Sequence, residues 1–169
     1  MAILPAELAR LAREKEAENL AFRRHLHAHP DRLHLIHEIG ARVQADFDCT
    51  QCSACCRETR VELTPADLLP IARFLKLRPA EVRRLYTESA PDSTLSIAHT
   101  LGQCTFLHRG LCLIYDVRPP ACRLFPYLTP HEASLGARPA SIWRRAYFCP
   151  IVFQTIEELK HRTGFHPRA

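Results

Sequence analysis

The chain has 169 residues, 47% of them hydrophobic and 24% charged. That length suits one domain with an appended helical segment, and the composition excludes a collagen-like, low-complexity or wholly disordered chain. Lys and Arg number 23 against 18 Asp and Glu, and the resulting +5 is too modest to mark a nucleic-acid binder.

The first segment, residues 5 to 46, reads as helical. Leu4, Leu8 and Leu11 recur at helical spacing, and Pro5 suits a first turn. Pro30 interrupts the pattern, and Asp31 can cap a second helix whose inner stripe is Leu33, Ile36, Ile39 or Gly40, and Val43. Further on, Val61 and Leu63 flank Glu62 in a short predicted strand. Thr64-Pro65-Ala66-Asp67 starts a helix with Leu68, Leu69, Ala72, Leu75 and Leu77 on its apolar face. Pro79 to about Glu88 forms another, with Val82, Leu85 and Tyr86 inward, and Pro91-Asp92-Ser93 marks a turn. Cys104–Leu107 and Leu111–Tyr115, separated by His108-Arg109-Gly110, suggest a hairpin with Gly110 in its turn. A last helix is predicted over 151–162, after Cys149-Pro150. The expected fold is α+β: a mainly helical small domain with a short β-hairpin and a cysteine-rich core organised by metal. Its expected division is an N-terminal helical extension, 1–46, and a cysteine-cluster metal-binding domain, 47–169.

No stretch approaches the roughly 18 apolar residues that a membrane span needs. Glu7 and Arg10 fall where a signal peptide would place its apolar region, so a cytoplasmic location is expected. Cytosolic thiols are kept reduced, and eight cysteines therefore point to metal binding or redox chemistry before disulfides.

The cysteines are not evenly spread. Cys49, Cys52, Cys55 and Cys56 form a C-x2-C-x2-C-C run; Cys104, Cys112, Cys122 and Cys149 stand singly. Each C-x2-C step lets two thiolates approach one metal, and two successive steps, which bring three thiolates together, are the pattern of bacterial-type ferredoxins, where a distant Cys-Pro completes the ligand set. Cys149-Pro150 is such a Cys-Pro. In extended backbone the vicinal Cys55 and Cys56 would face opposite ways, so either one of them serves a different site or neither site is mononuclear. Eight thiols permit one centre or two sets of four.

The run, the helix start at Thr64-Pro65-Ala66-Asp67-Leu68, and the blocks Cys104-x2-Leu107, Gly110-x-Cys112-x-Ile114-Tyr115, Arg118-Pro119-x2-Cys122-Arg123 and Phe125-Pro126 together resemble the YkgJ family of cysteine-cluster proteins. The resemblance covers about residues 47 to 150. It implies a zinc- or iron-chelating domain, and it implies that Cys104, Cys112, Cys122 and Cys149 join the metal chemistry. The family often carries Gly after the second cysteine, where this chain has Ser53; that bears on a left-handed backbone position. The cysteine-cluster region is also similar to that of flagellin lysine methylase, which leaves an enzymatic role open. No glycine-rich nucleotide-binding loop accompanies it here.

Around the cysteines, Tyr115, Arg118 and Arg123 are candidate cofactor-binding residues. The two arginines can offset the net negative charge of a four-thiolate centre, and the tyrosine can hydrogen-bond a sulfur. His25, His27, His29, His34 and His37 lack the H-E-x-x-H carboxylate and are read as solvated or adventitiously metal-binding. Trp143 is read as a core anchor rather than a base-stacking platform. The expected function is a metal-chelating cysteine-cluster protein that binds one or two iron–sulfur clusters through its eight cysteines, in a redox or accessory role with an unidentified protein or redox partner. Nucleic acid and membrane are set aside as partners. The alternative is a structural-zinc interaction module that binds protein or nucleic acid.

Overall fold

The computed structural model describes residues 5–89, 92–129 and 139–166. Leu4 and Pro91, used in the expectations above, lie outside them. In chain order the helices are α1 (Pro5–Glu14), α2 (Glu16–Ala28), α3 (Leu35–Ala45), α4 (Cys55–Glu58), α5 (Leu68–Leu75), α6 (Pro79–Tyr86), α7 (Pro120–Leu124), α8 (Pro139–Arg145) and α9 (Pro150–Arg162). The strands are β1 (Thr87–Ser89), β2 (Leu95–Ile97), β3 (His99–Thr100), β4 (Gln103–Cys104), β5 (Leu107–His108) and β6 (Leu111–Cys112). The architecture is thus mainly helical α+β. No helix among the described residues is long and apolar enough to cross a membrane.

The chain divides into two units. One joins the described residues up to Asp48 to those from Pro126 onward; the other runs from Cys49 to Phe125. The border at 48/49 lies beside the expected one at 46/47, and the carboxy-terminal segment is grouped with the amino-terminal helices.

In the helical unit, α9 packs along α3 and against α1 and α8. Pro150 sits in its first turn, where a missing N–H costs nothing, and Ile151, Val152, Phe153, Ile156 and Leu159 are buried along its length. Gly40 of α3 meets Leu128 so closely that a Cβ there would lie 2.6 Å from the Leu128 Cβ. Both Ile39 and Gly40 are buried, whereas Leu33, expected in the same stripe, precedes α3 and is exposed. Phe22 of α2 meets Trp143 edge-on at 6.0 Å and Phe165 at 4.9 Å, so Trp143 belongs to this aromatic core. The buried Lys160 ammonium is held by Glu18 at 2.8 Å and Glu157 at 2.6 Å, which satisfies a charge that would be costly alone. Hydrogen bonding from Lys160 in turn holds the Glu18 carboxyl below its ordinary range.

The cysteine-rich unit is built from short pieces. At Thr64 the backbone N–H donates to the Asp67 carboxylate at 2.7 Å, opening a 3-10 turn that leads into α5. α5 packs on α6, with Leu68, Ile71, Ala72 and Val82 in the core. Leu69 and Leu85, expected inward, are instead 47% and 49% exposed: helices of eight residues bury only one narrow stripe. β1 and β2 pair antiparallel from Thr87↔Ile97 to Ser89↔Leu95, and the expected strand at Val61–Leu63 reduces to a single bridge, Glu62↔Ser96. Two more hairpins follow, β3–β4 and β5–β6. The expected hairpin around Gly110 is the second of these, limited to two residues per strand.

Candidate metal centre

Both small hairpins are closed by two residues with positive φ. Leu101 and Gly102 (53° and 79°) turn the first, and Arg109 and Gly110 (49° and 82°) the second. This is the pattern of the primed turns that match the twist of paired strands. Each turn is followed by the same three-residue end, Gly102-Gln103-Cys104 and Gly110-Leu111-Cys112. Cys104 and Cys112 therefore occupy equivalent places at the ends of β4 and β6.

Their sulfurs meet backbone donors. The N–H groups of Phe106 and Leu107 donate to the Cys104 sulfur, and that of Ile114 donates to the Cys112 sulfur. A backbone donor two residues after the cysteine favours the thiolate form, which is the form that binds metal.

Cys56 and Cys122 complete a set. Cys56 lies in α4, which packs on β4, and Cys122 lies in α7. Cys104 is part of the apolar core with Phe106, Leu107 and Ile114, and the partly buried Cys56, Cys112 and Cys122 pack against it. They also share one electrostatic neighbourhood. Hydrogen bonding from the Cys55 thiol, followed by the charges of Arg57 and Arg118, lowers Cys56 to about 7. Burial pushes Cys104 up to about 11 and Cys122 up to about 12, and the negative charges of neighbouring cysteines add to both. Burial also raises Cys112, with Cys56 adding to it. Burial is thus the main reason that these three sulfurs hold their protons, and the Cys56 charge adds to it.

Local backbone explains why the run delivers Cys56 here. Ser53 has φ 49°, the left-handed position for which glycine is the ordinary choice. Arg57 Nη1 donates to the Ser53 carbonyl at 3.1 Å and to its Oγ at 2.6 Å, fastening that turn to α4. Cys55 and Cys56 open a helix rather than an extended stretch, and their thiols hydrogen-bond one another. The expectation that they face opposite ways is corrected by this, because it assumed the period of a strand.

The remaining candidates are placed as follows. Cys49 is exposed in a 3-10 turn that contacts β6, and Cys52 and Cys55 are partly buried. Cys149 is buried in the helical unit at the start of α9; burial lowers Arg145 nearby, against the opposing pull of Tyr127 and Cys149. The Arg118 guanidinium lies 3.5 Å from the centroid of the Tyr115 ring and donates from Nε to the Tyr115 carbonyl at 2.9 Å. Its charge reaches Cys56, Cys112 and Cys122. Arg123 is exposed on α7. The histidine rings serve the helical unit: Nδ1 of His29 bonds the His25 carbonyl at 2.8 Å, and Nδ1 of His37 the Leu128 carbonyl at 2.7 Å. The backbone donors at Phe106, Leu107 and Ile114 escape sequence reading; the repeated Gly-x-Cys after each turn is the signal that could have found them.

As the side chains stand, no group of three or more His, Cys, Asp or Glu among the described residues is spaced to hold a metal ion. Closure requires the thiols to lose protons and draw in. The donor chemistry fits a metal on three counts: four sulfurs share one apolar core, backbone donors favour the thiolate at two of them, and an arginine offsets the charge of the set.

Fold and site together define a small α+β domain whose core is lined by thiols. The family model described as "CxxCxxCC: Putative zinc- or iron-chelating domain" matches residues 48–150, and the chain belongs to that family. It is also similar to an uncharacterized protein, MJ0661, of Methanocaldococcus jannaschii, with 36% identity over 83 residues. The match covers 48% of this chain and 44% of the relative, so the chain spans less than half of that protein's length. No solved structure matches the chain significantly.

Proposed function

We propose that the cysteine-rich unit chelates iron as an iron–sulfur cluster through Cys56, Cys104, Cys112 and Cys122, in a redox or accessory role. The observation that carries the ligand set is the mutual electrostatic reach of these four sulfurs within one core. The run that delivers Cys56 carries two successive C-x2-C steps, a ferredoxin-like spacing that favours iron and makes Cys49, Cys52 and Cys55 candidate ligands of a second cluster. N–H···S bonds and burial are the levers by which a protein tunes such a cluster, and Arg118 adds a cation beside it. When bound, the cluster supplies one-electron chemistry. The chain's residues supply thiolates, exclude water with Phe106, Leu107 and Ile114, and place Arg118 against the charge.

A second reading is a structural zinc site of four cysteines, and the two Gly-x-Cys hairpin ends favour it because a closed four-thiolate zinc needs only such ligands. Anaerobic purification with iron, zinc and sulfide analysis separates the two. Brown protein with broad visible absorption and stoichiometric sulfide supports the cluster. Colourless protein with stoichiometric zinc, when iron is supplied, supports the zinc site and overturns the cluster.

A further inference from the structure

Past Gly110 the chain alternates between core and solvent. Cys112 and Ile114 turn inward, while Leu111, Leu113 and Tyr115 are 60%, 55% and 40% exposed. Burying these side chains would remove a sizeable apolar area from water, yet nothing in the fold of this unit requires apolar residues there. The strip lies between two cations. Arg109 is exposed in the turn before it, and Arg118 lies on the Tyr115 ring behind it; the exposed Asp116 is the acid within the segment. The segment thus combines exposed apolar side chains with flanking arginines.

We propose that the Leu111–Leu113–Tyr115 strip is the docking face for a protein that presents an apolar side chain flanked by carboxylates. The inference rests on the cysteine-centre reading for the reason such a partner docks here: Leu111 and Leu113 flank Cys112, one of the four thiols. Charge selects the occupant. Arginines at both ends of the strip complement carboxylates, and the chain's net +5 works against a second copy of itself.

The test uses the full metal-loaded chain and a fluorescein-labelled peptide of alternating Glu and Leu, with an alternating Lys and Leu peptide beside it. Fluorescence anisotropy should show binding of the acidic peptide, weakened about tenfold by Leu113→Ser or Arg109→Glu. The same binding should be unchanged by Leu20→Ser, an exposed leucine of the helical unit. Equal affinity across these variants, or tighter binding of the lysine peptide, would overturn the proposal. So would a dimer in sedimentation that Leu113→Ser dissolves, or oligouridylate binding with the same sensitivity to Leu113→Ser. Metal content measured on every sample keeps the two readings apart. Peptide binding without metal defeats the centre and spares the docking face; metal without strip-dependent binding does the reverse.

Discussion

The two units stabilise themselves by different means. The helical unit resembles an ordinary protein interior: α9 is buried along its length, aromatic rings pack around Phe22, and its buried ammonium is matched by two carboxylates. The cysteine-rich unit has strands of two or three residues, helices of eight or fewer, and thiols where a larger domain would place aliphatic side chains. Small cores of that kind ordinarily need a cross-link or a metal, and the difference teaches where a metal matters.

Removing the metal should break that comparison most strongly. Structural thiolate sites contribute on the order of 10 kcal/mol of apparent binding free energy to folding. Chelation, or Cys104→Ser, should therefore abolish hydrogen-exchange protection in β4, β6 and α7 while α3 and α9 stay protected. Uniform protection in both units after metal loss would show that the cysteine core is stable without it.

The converse perturbation strikes the helical unit. Gly40→Ala places a Cβ against Leu128, and overpacking of this kind costs about 1–3 kcal/mol. A lower Tm with unchanged metal content is the expected result. Ser53→Gly should act in the opposite direction in the cysteine unit, because a left-handed residue other than glycine costs roughly 1–2 kcal/mol. Loss of the Arg57 bond to the Ser53 Oγ offsets part of this gain, so a rise in Tm of a degree or two is expected at most.

The mildest perturbation is pH, applied to metal-free protein. Cys56 ionises near 7 when folded, against an ordinary value of 9.0, so its contribution is full above about pH 9 and is lost as pH falls through about 7. Cys104 and Cys122 have raised values, about 11 and about 12, so theirs is present below pH 9 and is lost as pH rises through those values. Denaturant titrations should place maximum stability near pH 9. Metal-loaded protein, whose thiols are already ionised, should lack that maximum.

The readable parts of this chain were those governed by local chemistry. Thr64, Pro65 and Asp67 mark a helix start that side-chain capping enforces, and Gly110 marks a turn that positive φ enforces. The family pattern implies that Cys104, Cys112, Cys122 and Cys149 join the run; the fold places the first three at one core with Cys56, and Cys149 in the helical unit. What could not be read depends on distant partners. Whether Leu69 and Leu85 are covered is decided by which stripe of α5 and α6 meets the core. That Cys56 joins the single cysteines follows from α4 lying on β4, a contact that spacing within the run does not contain. The grouping of α9 with α3 is equally non-local.

The most direct test of the central claim is native mass spectrometry of anaerobically purified protein carrying single Cys→Ser changes. Cys56→Ser, Cys104→Ser, Cys112→Ser and Cys122→Ser should each lose the mass of the same bound centre, while Arg123→Ala keeps it. If Cys104→Ser and Cys122→Ser retain the full metal complement of the unchanged chain, these four cysteines do not form one centre.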